Sequence, residues 1–150
     1  MNKERKILVA ADGSKLSYKA SEYAINDALK DNATIYFLYV LPKDDLPKEI
    51  VRYIQEEKIE GGLGKLTTRI VAQAVLTPFI DKARKSGIKK VHGRVLRGDP
   101  ASEIIKYAKE EKIDLLVLGS RGRGKISSIL LGSVSNQVCQ LSNCTTVTVR

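Results

Sequence analysis

A glycine-rich and basic segment has the residue types of a phosphate-binding loop. Residues 119–133 read GSRGRGKISSILLGS and follow an apolar run, IDLLVL, at residues 113–118. Glycine lets backbone N–H groups turn toward an anion and lets a phosphate approach the main chain closely. A helix that begins after the loop would add free N–H groups and a partial positive charge. The segment therefore marks a candidate anion site, with Arg121, Arg123 and Lys125 as its cations.

Part of this segment matches a P-loop, but not the part that binds the metal. Gly119 to Lys125 agrees with the first seven positions of that motif. The eighth position must carry a hydroxyl to hold Mg²⁺, and Ile126 stands there. A second cluster, GGLGK at residues 61–65, has Ile59 where the motif requires its first glycine. We therefore interpret neither segment as a P-loop.

Charge and composition narrow the class of protein. The chain of 150 residues has the length of one domain, and its formal net charge of +9 favours an anionic partner. One histidine, His92, and two cysteines, Cys139 and Cys144, argue against a Ser-His-Asp triad, a multi-histidine metal site and a disulfide framework. We expect both cysteines to pack as small apolar residues. No signal peptide and no membrane-length apolar run is visible, so we expect a cytoplasmic protein without a membrane partner.

The elements that would position the loop alternate along the chain. Strands are predicted at residues 6–11, 33–40, 90–96, 113–118 and 145–149, and helices at 16–29, 65–86, 100–111 and 133–141. Apolar strands alternating with amphipathic helices imply a parallel sheet with helices on both faces. The predicted fold is α/β: a single doubly wound, Rossmann-like, five-stranded parallel sheet with strand order 3-2-1-4-5. Such sheets bind ligands beyond the carboxyl ends of their strands.

Several local features refine this prediction. Asp99 is expected to cap a helix that begins at Pro100, and Pro78 should kink or divide the second helix. The first helix should bury Leu16, Ala20, Tyr23 or Ala24, and Leu29, which are spaced at about 3.6 residues. Residues 43–65 have no clear periodicity and are the best candidate for a mobile connection.

Several separated segments, in this order, resemble the universal stress protein family. They are ILVAADGS at 7–14, GDPASEIIKYA at 98–108, DLLVLGSRGRG at 114–124, LLGSVS at 130–135 and SNCTTVTVR at 142–150. The spacing Gly119-x2-Gly122-x9-Gly132-Ser133 is similar to the nucleotide-binding signature of the ATP-binding branch of that family. The resemblance covers nearly the whole chain and implies one nucleotide-binding domain over residues 1–150.

The resemblance also implies roles for individual residues. The backbone amides of Gly119, Gly122, Gly132, Ser133 and Val134 would hold phosphates, with Arg121 in the same loop. Asp12 would accept hydrogen bonds from ribose hydroxyls, although its position before a helix is equally typical of a cap. Val40 would face adenine, although its apolar run is equally typical of core. Ala10, beside the adenine pocket, and Thr145, before the last strand, stand where the family usually has proline.

The implied ligand is ATP, which could carry Mg²⁺ or Mn²⁺, and the implied assembly is a homodimer through residues 145–149. We expect a nucleotide-responsive module of the stress response, with little or no catalytic turnover, that is read by a protein partner. One alternative is a slow ATPase or phosphotransferase, with Asp12 or Asp99 as its carboxylate. Another is a basic protein associated with nucleic acid, which the low aromatic content of 5% and the lack of a recognised motif disfavour.

Overall fold

The computed structural model describes residues 3–42, 48, 52, 68–122 and 131–150. These residues contain a five-stranded sheet with strand order β3-β2-β1-β4-β5, in which every pairing is parallel. The strands are β1 Lys6–Ala10, β2 Thr34–Leu41, β3 Val91–Arg97, β4 Leu115–Gly119 and β5 Thr145–Val149. The predicted fold class and strand order are therefore confirmed.

Helices cover both faces of the sheet. They are α1 Lys15–Asp31, a π-helical segment Ala72–Leu76 that continues into α2 Thr77–Lys85, α3 Pro100–Glu110, and α4 Ser133–Leu141. Helices α1 and α2 contribute to one hydrophobic cluster, and α3 and α4 contribute to the other. The connection predicted over residues 43–65 falls outside the described residues, apart from Lys48 and Arg52.

Alternate residues of each central strand enter the two clusters, because side chains in a strand point to opposite faces. In β1, Ile7 and Val9 belong to the cluster under α1 and α2, whereas Leu8 belongs to the cluster under α3 and α4. All three are fully buried. This burial on both faces explains why the strands read as continuous apolar runs rather than alternating ones.

Helix α1 packs on the sheet through small side chains. Its buried residues are Ser17, Ala20, Ser21, Ala24, Ile25 and Ala28. The prediction was right for Ala20 and Ala24 but wrong for Leu29, which is 47% exposed, and Tyr23 is also 44% exposed. Small residues let the helix axis come close to the strands. Tyr23 and Leu29 then lie outside the contact, whereas Ile25 is buried in it. Which face of α1 is buried depends on the distance between the helix and the sheet, and the spacing of apolar residues in the sequence does not give that distance.

The second helix is not divided at Pro78, because the backbone stays helical from residue 68 to Lys85. The π-helical segment Ala72–Leu76 lies directly before α2, and Pro78 lies in the first turn of α2. Proline has no N–H and therefore removes one intrahelical hydrogen bond, and the change to π-helical pairing lies directly before it. Helix α2 ends at Lys85, and Gly87 follows with φ +103°, a left-handed conformation that favours glycine at a helix end.

The two cysteines differ in exposure. Cys144 is half-buried and packs against the cluster under α3 and α4, but Cys139 on α4 is exposed, so the expectation of packing was wrong for Cys139. His92 is an exposed residue of β3 whose ring stacks on Tyr36, with ring centroids 5.0 Å apart. No helix among the described residues is long and apolar enough to span a bilayer.

Candidate functional site

The loop after β1 holds the carboxylate of Asp12 at the carboxyl end of the sheet. Its Oδ1 accepts a hydrogen bond from the backbone N–H of Ser14 at 2.8 Å. Ser14, not Asp12, is the N-cap of α1, because its hydroxyl accepts from the N–H of Ser17 at 3.2 Å. Gly13 between them has φ +80°, which only glycine adopts readily. The capping alternative for Asp12 is therefore wrong.

Gly122 lies against this carboxylate from the other loop. A Cβ built on Gly122 would lie 3.0 Å from Oδ2 of Asp12, closer than side chains normally pack. The backbone of Gly122 is not in the left-handed region, so glycine is needed here for space and not for its φ angle. Gly122, after β4, and Asp12, after β1, are therefore neighbours. The Asp12 carboxylate faces a residue that has no side chain.

Gly119 has a packing role that the sequence did not indicate. A Cβ on Gly119 would lie 2.7 Å from Cβ of Leu16, so α1 could not approach β4 with any larger residue there. The carbonyl of Gly119 accepts a hydrogen bond from the hydroxyl of Ser135 at 2.7 Å. Ser135 is 3% exposed and joins α4 to the end of β4. Sequence reasoning missed Ser135, and its polar side chain in the first turn of a predicted helix was the only signal.

Helix α4 begins beside Gly122 and the residues that follow β4. Its N-cap is Gly132, which has no side chain to cap the first turn. The N–H of Gly132 is engaged, because it donates to the carbonyl of Ser120 at 2.7 Å. The Gly132 amide, which we expected to hold phosphate, is therefore engaged within the protein here, and its phosphate-binding role stays a prediction. The amides of Ser133 and Val134 occupy the first helical positions, where donors have no intrahelical acceptor and the helix dipole favours an anion.

The other predicted site residues lie around this point. Val40 is 6% exposed near the end of β2, in the cluster under α3 and α4, and half-buried Ala10 packs against the same cluster. Arg121 is half-buried, and its Cα would lie 3.5 Å from a Cβ on Gly132. Arg123 and Lys125 fall outside the described residues. The structure thus brings Asp12, the glycines and the start of α4 together.

Asp99 begins the neighbouring helix α3, as predicted. Its Oδ2 accepts from the backbone N–H of Ser102 at 3.0 Å and from the Ser102 hydroxyl at 2.7 Å. These hydrogen bonds, the backbone one first, hold the pKa of the Asp99 carboxyl below its ordinary value. The carboxylate is charged at neutral pH and is committed to capping α3.

We also searched the structure for a second pocket and for a metal site. A surface pocket of about 220 Å³ lies between β3 and α3, where Arg94, Lys106 and Glu110 are among the lining residues. None of the predicted site residues lines it. In the part of the chain that the structure describes, no group of three His, Cys, Asp or Glu side chains is placed to hold a metal ion.

A parallel doubly wound sheet, with a glycine-containing turn and a helix N-terminus at its carboxyl end, defines a Rossmann-like α/β domain. Such domains bind ligands at the topological switch point of the sheet. The model of the universal stress protein family matches residues 4–150. The chain belongs to the universal stress protein family.

Individual relatives agree with this assignment. Universal stress protein MJ0531 of Methanocaldococcus jannaschii is 32% identical, with 99% of this chain and 84% of the relative covered. Universal stress protein YxiE of Bacillus subtilis is 33% identical, with 97% and 98% covered.

Solved structures show the same fold. The structure of hypothetical protein MJ0577 has a TM-score of 0.77 and 26% identity, over 97% of this chain and 94% of that one. A universal stress protein in complex with cAMP has a TM-score of 0.70 and 27% identity, over 97% of each chain.

Proposed function

We propose that this protein binds ATP at the carboxyl end of its sheet and acts as a nucleotide-responsive regulatory module of the stress response. The observation that carries the proposal is the meeting of Asp12 and Gly122 beside the N-terminus of α4. A carboxylate suits ribose hydroxyls, and an uncapped helix start suits phosphates. The site thus offers each part of a nucleotide a complementary group.

The proposed roles follow from these positions. The amides of Ser133 and Val134 hold phosphate, and the absence of a side chain on Gly122 lets the ligand approach. Asp12 accepts hydrogen bonds from ribose through Oδ2, because Oδ1 already accepts from Ser14. Ala10 and Val40 line the adenine side, where the sheet ends in apolar residues. Arg121 adds a positive charge to the site. Gly132 has no side chain, so it leaves room beside the start of α4.

The relative that was solved with cAMP supports an adenine nucleotide as the ligand class. That complex has one phosphate group, whereas the helix start and the basic loop of this chain favour a longer anionic tail. We therefore propose ATP, accompanied by Mg²⁺ or Mn²⁺ from solution. Direct comparison of ATP with cAMP by calorimetry tests this choice.

We also propose a homodimer through β5, with a protein partner that reads the occupied state. Strand β5 lies at the edge of the sheet and pairs with β4 on one side. An unpaired edge of β-branched residues is a ready surface for a second strand. We propose that the protein acts in the cytoplasm, where ATP is available.

The first experiment uses the protein as purified. Denaturation followed by chromatography of the supernatant identifies any nucleotide that was carried through purification, and we expect ATP or ADP. Calorimetry with added ATP then measures the affinity of protein freed of nucleotide. Absence of both a released nucleotide and measurable ATP binding would overturn the proposal.

A further inference from the structure

Ser120 has one polar atom that the fold leaves without a partner. Its backbone is fully engaged: the N–H donates to the carbonyl of Val149 at 2.8 Å, and its own carbonyl accepts from Gly132 at 2.7 Å. Ser120 is 1% exposed, yet its Oγ has no hydrogen-bond partner among the residues that the structure describes. A buried hydroxyl without a partner destabilises the folded state, so its retention calls for an explanation.

The alternation of β4 indicates where this hydroxyl points. Gly119 faces α1, since its missing Cβ would touch Leu16. Leu118 faces the other way, into the cluster under α3 and α4. The hydrogen bond from Ser120 to Val149 continues the β4–β5 ladder by one residue, so the alternation continues as well. Ser120 therefore points to the side of the sheet that holds Ala10, Val40 and Val134.

We propose that Ser120 is a further nucleotide-binding residue, whose hydroxyl donates a hydrogen bond to a phosphate oxygen of the bound nucleotide. This inference rests on the proposed function. Phosphate is the favoured acceptor because Ser120 accepts a hydrogen bond from the N-cap of α4 through its carbonyl, so the residue lies beside the helix start, where an anion is favoured. A hydrogen bond to a charged oxygen is stronger than one between neutral groups, and within the described ranges no protein group already bonds the hydroxyl.

The chain offers a matched control. Among the described residues, Ser21 is the other one with a buried side-chain oxygen that lacks a partner. Ser21 lies on α1 and is fully buried, on the face of the sheet opposite to that of Ser120. Both serines should tolerate replacement by alanine, because each change removes an unpaired polar atom and creates almost no cavity.

The experiment compares Ser120→Ala and Ser21→Ala in the full chain, freed of nucleotide. Without ligand, both variants should unfold at or above the temperature of the unmodified protein. With ATP, Ser120→Ala should bind about tenfold more weakly, whereas Ser21→Ala should bind normally. Adenosine, which has no phosphate, should bind the two variants and the unmodified protein alike.

Three results would overturn the inference. Unchanged ATP affinity in Ser120→Ala would mean that the hydroxyl does not contact the ligand. Lower thermal stability with unchanged affinity would indicate an enclosed water as its partner. An equal loss for adenosine and ATP would place the contact on the nucleoside. If the unmodified protein does not bind ATP at all, the proposed function fails instead, and calorimetry on that protein distinguishes the two cases.

Discussion

The carboxylate of Asp12 lies against the space that a side chain on Gly122 would fill, although 110 positions separate the two residues in the sequence. A Cβ on Gly122 would be 3.0 Å from Oδ2 of Asp12. The same oxygen is the one that Ser14 leaves unused, since Ser14 donates to Oδ1. The position of the Asp12 carboxylate therefore depends on the absence of a side chain at Gly122.

Replacement of Gly122 by alanine should weaken ATP binding by displacing Asp12, and valine should do so more strongly. We expect a loss of about tenfold for alanine, equivalent to about 1.4 kcal/mol, measured by calorimetry. In the Asp12→Ala background the alanine change should cost much less, because the oxygen that it would displace is gone. Fully additive losses in this double-mutant cycle would argue against the contact.

Asp12→Ala should weaken ATP more than it weakens inorganic triphosphate, because Asp12 is proposed to contact ribose. Its effect on stability should be small, since Ser14 is the cap of α1. Ser14→Ala is the control and should lower the free energy of unfolding by about 1 kcal/mol. Calorimetry with both ligands and thermal unfolding measure the two effects. Equal losses for ATP and triphosphate would remove ribose recognition from the proposal.

Proline at Thr148 should prevent dimer formation without disrupting the sheet. The hydrogen bond from Ser120 to Val149 shows that odd-numbered residues of β5 turn their main chain toward β4. The N–H of Thr148 therefore faces the open edge, and Thr148→Pro removes an outward donor. Val147→Pro is the contrasting variant and should lower thermal stability, because that N–H faces β4. Sedimentation should show a dimer for the unmodified protein, and a monomer at high concentration would disprove the interface.

Turnover of ATP should be far below the roughly 1–100 per second that is typical of kinases. No carboxylate occurs in residues 115–150, and Asp99 is held by Ser102 as a helix cap. Amides and cations that bind ground state and transition state alike raise affinity but not the chemical rate. Phosphate release with Mg²⁺ or Mn²⁺ is the assay. Sustained turnover near one per second that is lost in Asp12→Asn or Asp99→Asn would make this protein an enzyme.

The stability of the fold should depend on an ion pair at the opposite end of the sheet. Burial raises the pKa of the Asp27 carboxyl, but hydrogen bonds from Arg5 at 2.6 Å and Lys30 at 3.3 Å outweigh burial and hold the pKa below its ordinary value. A carboxylate with a lowered pKa stabilises the fold above its unfolded pKa and loses that effect as pH falls through the folded value.

Asp27→Asn should therefore lower the free energy of unfolding by about 1 kcal/mol at pH 7. The difference from the unmodified protein should shrink as the pH falls below about 4, where the unfolded carboxyl is protonated. Denaturant unfolding across this range measures it. Asp31→Asn is the control, because Asp31 is more exposed and its bond to Arg5 is longer, at 3.1 Å. A difference that stays constant with pH would exclude the ion pair as its cause.

Local sequence determined which elements form and where they end. A helix cap acts on residues within one turn, so neighbouring positions in the sequence can predict it. Asp99 and Pro100 were predicted in this way at the start of α3. At the start of α1 the cap is Ser14. The apolar runs, uninterrupted because both faces are covered, predicted a parallel sheet, and the strand 145–149 was predicted to the residue. The glycine spacing marked Gly122 and Gly132, which lie close to one another although nine residues separate them.

Only the tertiary structure decided which polar atoms near the site already have a hydrogen-bond partner within the protein. The amide of Gly132 is used by Ser120, and the capping alternative for Asp12 is excluded by Ser14. Gly119 is required by the close approach of α1, and the hydroxyl of Ser120 has no partner in the described part of the chain. These facts depend on distances between segments that are far apart in the chain, and residue types fix such distances only through the packing of whole helices on the sheet.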